Sequence, residues 1–297
     1  MSDTPAPTFP AHSMVLHDLC AKKPETNHHL DMLLKPKTLF LGLLLSVLSV
    51  TSLSAQAIVG AWYVGDTSTD GSDVIVFFGN GYYMHITDAA SGGGLDGYER
   101  GTYTWSGVNG TSFTATGLVD QNGDNGLSHI DNGTTTFSIT GDSLTITDAD
   151  GASTGSDVLT RVTGANDIIG AWVEGNITVN DSVTVAVFMS NLTYFIASDL
   201  AVDGDGLAGI ERGSYTWVSA TGAFTSSADL NTDGGFGLSG SPPITSMTIA
   251  SGVLTASDGS ETATFNSVTA VPEPSTYAVI AGAFCLGIAM LRRRKQS

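Results

Sequence analysis

Glu99-Arg100-Gly101-Thr102-Tyr103-Thr104-Trp105 returns later in the chain as Glu211-Arg212-Gly213-Ser214-Tyr215-Thr216-Trp217. In both copies the aromatic residues alternate with Thr or Ser, a period of two that marks a β-strand with one apolar face. The charged pair opening each copy is informative as well. Adjacent side chains on a strand point to opposite faces, so Glu99 and Arg100 cannot readily pair with each other. The same holds for Glu211 and Arg212, and each of the four is expected to meet a partner on a neighbouring strand in a structural role.

Two further blocks are repeated. Ile58-Val59-Gly60-Ala61-Trp62 recurs as Ile168-Ile169-Gly170-Ala171-Trp172, and Gly126-Leu127-Ser128 recurs as Gly237-Leu238-Ser239. The offset stays between 110 and 112 residues across the three blocks, so a whole unit is duplicated. Two tandem domains follow, residues 58–164 and 165–270, each long enough to bury its own core. Two copies are too few for a solenoid. Within a unit, Val74–Phe78 is a short apolar run, and Asn80-Gly81 is a hairpin turn into Tyr82–Ile86. Phe137 and Ile139 alternate with polar residues, Gly141-Asp142 turns the chain, and Leu144 and Ile146 alternate again. The predicted fold class is all-β: two antiparallel units of seven or eight short strands, each closing into a small up-and-down barrel or a sandwich.

Between Ile58 and Ala270 the chain carries 24 acidic residues and three arginines with no lysine, a formal charge of −21. Such a surface repels nucleic acid and anionic membrane and favours solubility, and divalent cations or basic partners are its natural counter-charges. Regular aromatic and β-branched positions argue against disorder. Cys20 and Cys285 both lie outside these limits, which leaves the duplicated core without disulfides, thiol chemistry or a cysteine metal site.

The two ends of the chain read as address labels. Lys35 and Lys37 precede the apolar run Leu39–Leu48, and Ala55-Gln56-Ala57 follows it. A basic region, a short apolar core and a small-x-small site describe a secretory signal peptide, here residues 32–57, with cleavage after Ala57. Translation is expected to start at Met32. Residues 1–31, which show no periodicity and hold four of the six histidines, read as a disordered leader. At the other end stand Val271-Pro272-Glu273-Pro274-Ser275-Thr276, then an uncharged stretch to Leu291, then Arg292, Arg293, Arg294 and Lys295. As a helix, Ser275–Leu291 is roughly 25 Å long at ~1.5 Å per residue, a marginal length for a hydrocarbon core of about 30 Å. The basic cluster is expected to stay cytoplasmic as a membrane-anchor flank.

The order of motif, apolar helix and basic cluster over residues 271–297 resembles the PEP-CTERM tail of exported Gram-negative proteins. The resemblance implies an exosortase-type processing enzyme in the inner membrane as partner, transient anchoring there, and a final place in the cell envelope or extracellular matrix beside exopolysaccharide. A second resemblance concerns the core. Gly60-x-Trp62 and Gly170-x-Trp172 open their units in the manner of lipocalins and related up-and-down barrels. That likeness implies that the tryptophan plugs one end and that an arginine near the last strand packs over it. Arg161 suits this part for Trp62, whereas the second unit has Ser267 at about the matching position.

Candidate sites are few. Asp120, Asn122 and Asp124 place oxygen ligands at alternate positions, with Asp131 at the twelfth place, a pattern that calcium can use. The glycine stands one place late, the second unit retains only Asn231, Asp233 and Gly235, and Asp, Asn and Gly also serve simply as turn formers. Asp203 and Asp205 sit in another Gly-rich loop. His85 and His129 have no counterparts in the second unit, and no nucleophile elbow, zinc-protease motif or phosphate loop occurs. The expectation is therefore a non-enzymatic exported surface or matrix protein without an obligatory cofactor. The alternative is a lipocalin-like protein holding a small apolar ligand, which would need an open cavity inside a barrel.

Overall fold

The computed structural model describes residues 56–269 apart from residue 70 and residues 90–94, 131–133, 150–153, 176, 179–181, 200–207 and 236. The sorting motif Val271–Thr276, the flank Arg292–Lys295, Ala55 and most of the signal segment, Asp131, Asp203 and Asp205 lie outside the described residues. The first copy forms β1 (Gly60–Val64), β2 (Ser72–Phe77), β3 (Tyr82–Asp88), β4 (Gly97–Trp105), β5 (Thr111–Asp120), β6 (Thr136–Thr140), β7 (Ser143–Ala149) and β8 (Thr154–Arg161). The second forms β9 (Gly170–Glu174), β10 (Thr184–Phe188), β11 (Thr193–Ser198), β12 (Gly209–Val218), β13 (Ala223–Asn231), β14 (Ser246–Ala250), β15 (Val253–Ser257) and β16 (Thr262–Ser267).

Each strand pairs antiparallel with the next, and the last returns to the first, so each copy is a closed eight-stranded barrel and not a sandwich. Closure is made by Trp62 opposite Arg161 in barrel 1 and by Trp172 opposite Ser267 in barrel 2. The Asn80-Gly81 hairpin joins β2 to β3, as its turn chemistry requires.

Alternation sends one set of side chains into each barrel. Trp62, Phe77, Tyr83, Phe113, Phe137 and Leu144 fill barrel 1, and their counterparts Trp172, Phe188, Tyr194, Phe224, Met247 and Leu254 fill barrel 2. Ring meets ring in both. Phe77 stands edge-on to Tyr103 at 5.0 Å, and Phe188 stands edge-on to Tyr215 at 5.1 Å. Phe113 stacks on Phe137 at 3.8 Å in barrel 1 alone. Such pairs contribute about 0.5–1.5 kcal/mol each beyond their area.

A third apolar core lies between the barrels. The outward side chains Val74, Val76, Met84 and Ile86 of β2 and β3 pack with Val185, Val187, Phe195 and Ala197 of β10 and β11. These strands are buried on both faces, which is why Val74–Phe78 and Val183–Met189 are nearly unbroken apolar runs while β5 and β13 alternate. Each fully buried Val or Met contributes about 1.5–3 kcal/mol. The two units thus share a core in addition to having one each.

Candidate functional site

The repeated Glu-Arg-Gly sequence acquires its meaning from a β-bulge. The register of β4 with β5 shifts between Arg100 and Gly101, and that of β12 with β13 shifts between Arg212 and Gly213. A Cβ on Gly101 would stand 2.3 Å from the Thr116 carbonyl oxygen, and one on Gly213 would stand 2.0 Å from that of Ser227. Only glycine lets the two backbones approach so closely. Ahead of the bulge the glutamate points into its own barrel and the arginine points out.

Glu99 is fully buried and accepts three hydrogen bonds. Its carboxylate accepts from the Tyr83 hydroxyl, from the Ser128 backbone N–H at 2.9 Å and from the Ser128 hydroxyl at 2.6 Å. Glu211 repeats the arrangement with the Tyr194 hydroxyl, the Leu238 and Ser239 N–H groups at 3.1 and 3.0 Å, and the Ser239 hydroxyl at 2.8 Å. The repeated Gly-Leu-Ser block is therefore the loop that closes over this carboxylate. A Cβ on Gly126 would fall 1.8 Å from Glu99 Oε2, so a side chain there would displace the carboxylate itself. Burial, and then the neighbouring glutamate, push both tyrosine hydroxyls well above their ordinary range.

The outward arginines overturn one expectation. Arg100 finds its partner not on a neighbouring strand but on the other barrel, where its Nε donates to Asp199 and its Nη1 donates to the Thr178 carbonyl at 2.6 Å. Arg212 of barrel 2 reciprocates with Asp88 of barrel 1. Asp88 and Asp199 occupy equivalent positions just after or at the end of β3 and β11, so the seam has approximate two-fold symmetry. All four side chains are buried. Asn80 extends the symmetry by donating to the Ile177 carbonyl at 3.1 Å, while Asn191 donates to the Thr67 hydroxyl at 2.8 Å.

At each end of the seam is a cleft. One, of about 400 Å³, is lined by Phe78, Asn80, Val173, Ile177 and Ser267. Its counterpart, of about 460 Å³, is lined by Tyr63, Thr67, Arg161, Met189 and Asn191. Both lie between the barrels and not inside them.

Trp62 and Trp172 are buried, and each indole N–H donates to the carbonyl four residues earlier, at 2.7 Å to Ile58 and 2.8 Å to Ile168. Arg161 lies over the Trp62 ring with its guanidinium carbon 3.9 Å from the centroid. It also donates to the Val59 carbonyl at 3.1 Å and to that of Ala57, and burial lowers its pKa. Ala57 belongs to a 3-10 helix, Gln56–Ile58, against the closure of barrel 1.

The three oxygen-bearing residues at and beyond the end of β5 do not converge. Asn122 is buried and its amide donates to the Thr87 hydroxyl at 3.0 Å, while Asp124 is exposed on a 3-10 helix, Gly123–Asn125. Asp120 turns instead to His129, whose Nε2 is 2.9 Å from Asp120 Oδ2 and 3.9 Å from Glu99 Oε2. Asp120 raises the pKa of the His129 imidazole, chiefly through this hydrogen bond. His85 is buried in barrel 1, 3.3 Å from Asp73. Sequence reasoning missed the pairing of His129 with Asp120, and the only signal for it was that both residues depart from the repeat. No protein-family model, no curated protein and no solved structure matches this chain.

Proposed function

We propose that the chain is an exported, non-enzymatic building block of the cell surface or extracellular matrix, sorted through its C-terminal tail and held beside exopolysaccharide. The observation that carries the reading is the order Val271–Thr276, apolar stretch and Arg292–Lys295 at one end, with a signal-peptide pattern over residues 32–57 at the other. Supporting it, the core between these signals has a formal charge of −21 and no cysteine or lysine, which suits a soluble domain outside the cytoplasm that needs no disulfide. The aromatic filling of both barrels weighs against the rival reading of a small apolar ligand held in a barrel lumen. The exosortase-type enzyme is the proposed processing partner, and nucleic acid is not a proposed partner.

The test is the intact mass of the protein recovered from its native host, with and without that enzyme. Loss of the tail near Pro272–Ser275 only when the enzyme is present is the expected result. A mass ending at Ser297 in both strains would reduce the tail to an ordinary anchor and overturn the sorting claim.

A further inference from the structure

The two copies handle the mouth beside the buried glutamate differently. In barrel 2, Asn231 donates its amide to Glu211 Oε2 at 3.0 Å. Asp120 takes the equivalent place in barrel 1, and a carboxylate has no proton to donate to Glu99. The second change accompanies the first. Where barrel 2 has Gly240 after the Gly-Leu-Ser loop, barrel 1 has His129, which brings an imidazole nitrogen to both carboxylates. Glu99, Asp120 and His129 each offer one ligand atom, all within 4.8 Å of one another.

We propose that Glu99, Asp120 and His129 form a binding site for a divalent transition cation of the zinc class, present in barrel 1 and absent from barrel 2. Three observations meet here. One imidazole nitrogen and two carboxylate oxygens are ligands such an ion accepts, whereas calcium and magnesium prefer oxygen alone. Ligand atoms around a tetrahedral zinc at ~2.0–2.2 Å stand about 3.4 Å apart. The distances of 2.9 and 3.9 Å from His129 Nε2 bracket that spacing, and all three ligand atoms lie within 4.8 Å of one another. Glu99 is held rigidly by Tyr83 and Ser128, which orients its Oε2 as outer partners orient metal ligands. Asp120 and His129, by contrast, are partly exposed, giving an ion a way in from solvent.

The charge balance favours an ion as well. The arginines of the core are committed elsewhere: Arg100 to Asp199, Arg212 to Asp88, and Arg161 to Trp62 and Asp142. With no lysine between Ile58 and Ala270, His129 and a cation from solution are the counter-charges left for these two carboxylates.

The test is titration of the purified full chain with Zn²⁺ by calorimetry at pH 8, alongside the variants Asp120→Asn and His129→Gly. Each variant installs the residue that barrel 2 carries, so both are compatible with the fold. The expected result is a Zn²⁺ site that each substitution weakens by more than about a hundredfold, since even outer-shell changes cost metal sites about 10–100-fold. Nuclear magnetic resonance gives a second reading: Zn²⁺ should move the ring signals of His129 and leave those of His85 in place. No Zn²⁺ binding, or binding that both variants retain, would overturn the site. Calcium binding that survives His129→Gly would also overturn it, placing the ion on the Asp120–Asp124 loop.

Discussion

Barrel 1 and barrel 2 share their framework and differ at their mouths. Both keep the buried glutamate, the arginine beyond it, the glycine at the bulge, the Gly-Leu-Ser loop, the opening tryptophan and the two tyrosines. These residues either hold a strand to its neighbour or hold one barrel to the other. The differences fall elsewhere. Phe137 becomes Met247, Arg161 becomes Ser267, and the pair Asp120 and Asn122 becomes Asn231 and Asp233. A duplicated chain thus separates what the fold requires from what one copy alone can use.

Changes at the seam between the barrels should cost the most stability. Removing one partner of a buried ion pair leaves an uncompensated charge and costs about 3–5 kcal/mol. Arg100→Ala and Arg212→Ala should therefore lower stability in urea by similar amounts. The double replacement Arg100→Met with Asp199→Leu should recover most of the loss, since apolar substitutes for such pairs are commonly neutral or stabilising. A large cost for one arginine and none for the other would show that the two-fold symmetry is only apparent.

A smaller effect separates the two mouths by pH. Asp233 is buried, and desolvation raises its pKa to about 6 from 3.8. The unfolded chain ionises this group first, so the folded state binds more protons between those values and stability falls as pH rises through the window. Well above pH 6, where the folded form is ionised too, the cost is constant. Asp233→Asn, which installs the amide of Asn122, should remove that slope and stabilise the protein at pH 7 by about 2 kcal/mol. Stability curves for both proteins from pH 4 to 8 check it, and parallel curves would contradict the assignment.

Closure and packing come next. Arg161→Ser removes the cation over Trp62 and installs the barrel 2 residue, with an expected loss of about 0.5–2 kcal/mol. Phe137→Met does the same for the interior and should cost less than about 1.5 kcal/mol, because the volume is nearly conserved. Thermal melts of the two variants rank them. A Phe137→Met loss as large as a cavity mutation would mean that the Phe113–Phe137 stack carries more of barrel 1 than its counterpart carries in barrel 2.

The all-β class and the duplication were legible because a period of two and a repeated block are local patterns. The opposite directions of Glu99 and Arg100 were legible for the same reason, since neighbouring strand residues must diverge. The partner of Arg100 was not. Asp199 is 99 residues away in sequence, and it is one of 24 acidic residues in the core. The equivalent positions of Asp88 and Asp199 were a usable clue, as were the nearly unbroken apolar runs Val74–Phe78 and Val183–Met189, which mark strands buried on both faces. The oxygen spacing after β5 pointed to a loop site, but the backbone turns Asn122 inward and sends Asp120 to His129. Spacing alone does not say which way a turn residue faces.

The shared apolar core and the reciprocal arginines hold the two barrels together. A calorimetric unfolding scan of residues 58–270 tests that most directly. A single transition whose calorimetric enthalpy equals its van't Hoff enthalpy is the predicted result. Two resolved transitions, or a calorimetric enthalpy about twice the van't Hoff value, would mean that the barrels unfold as independent domains and that the reciprocal arginines do not join them.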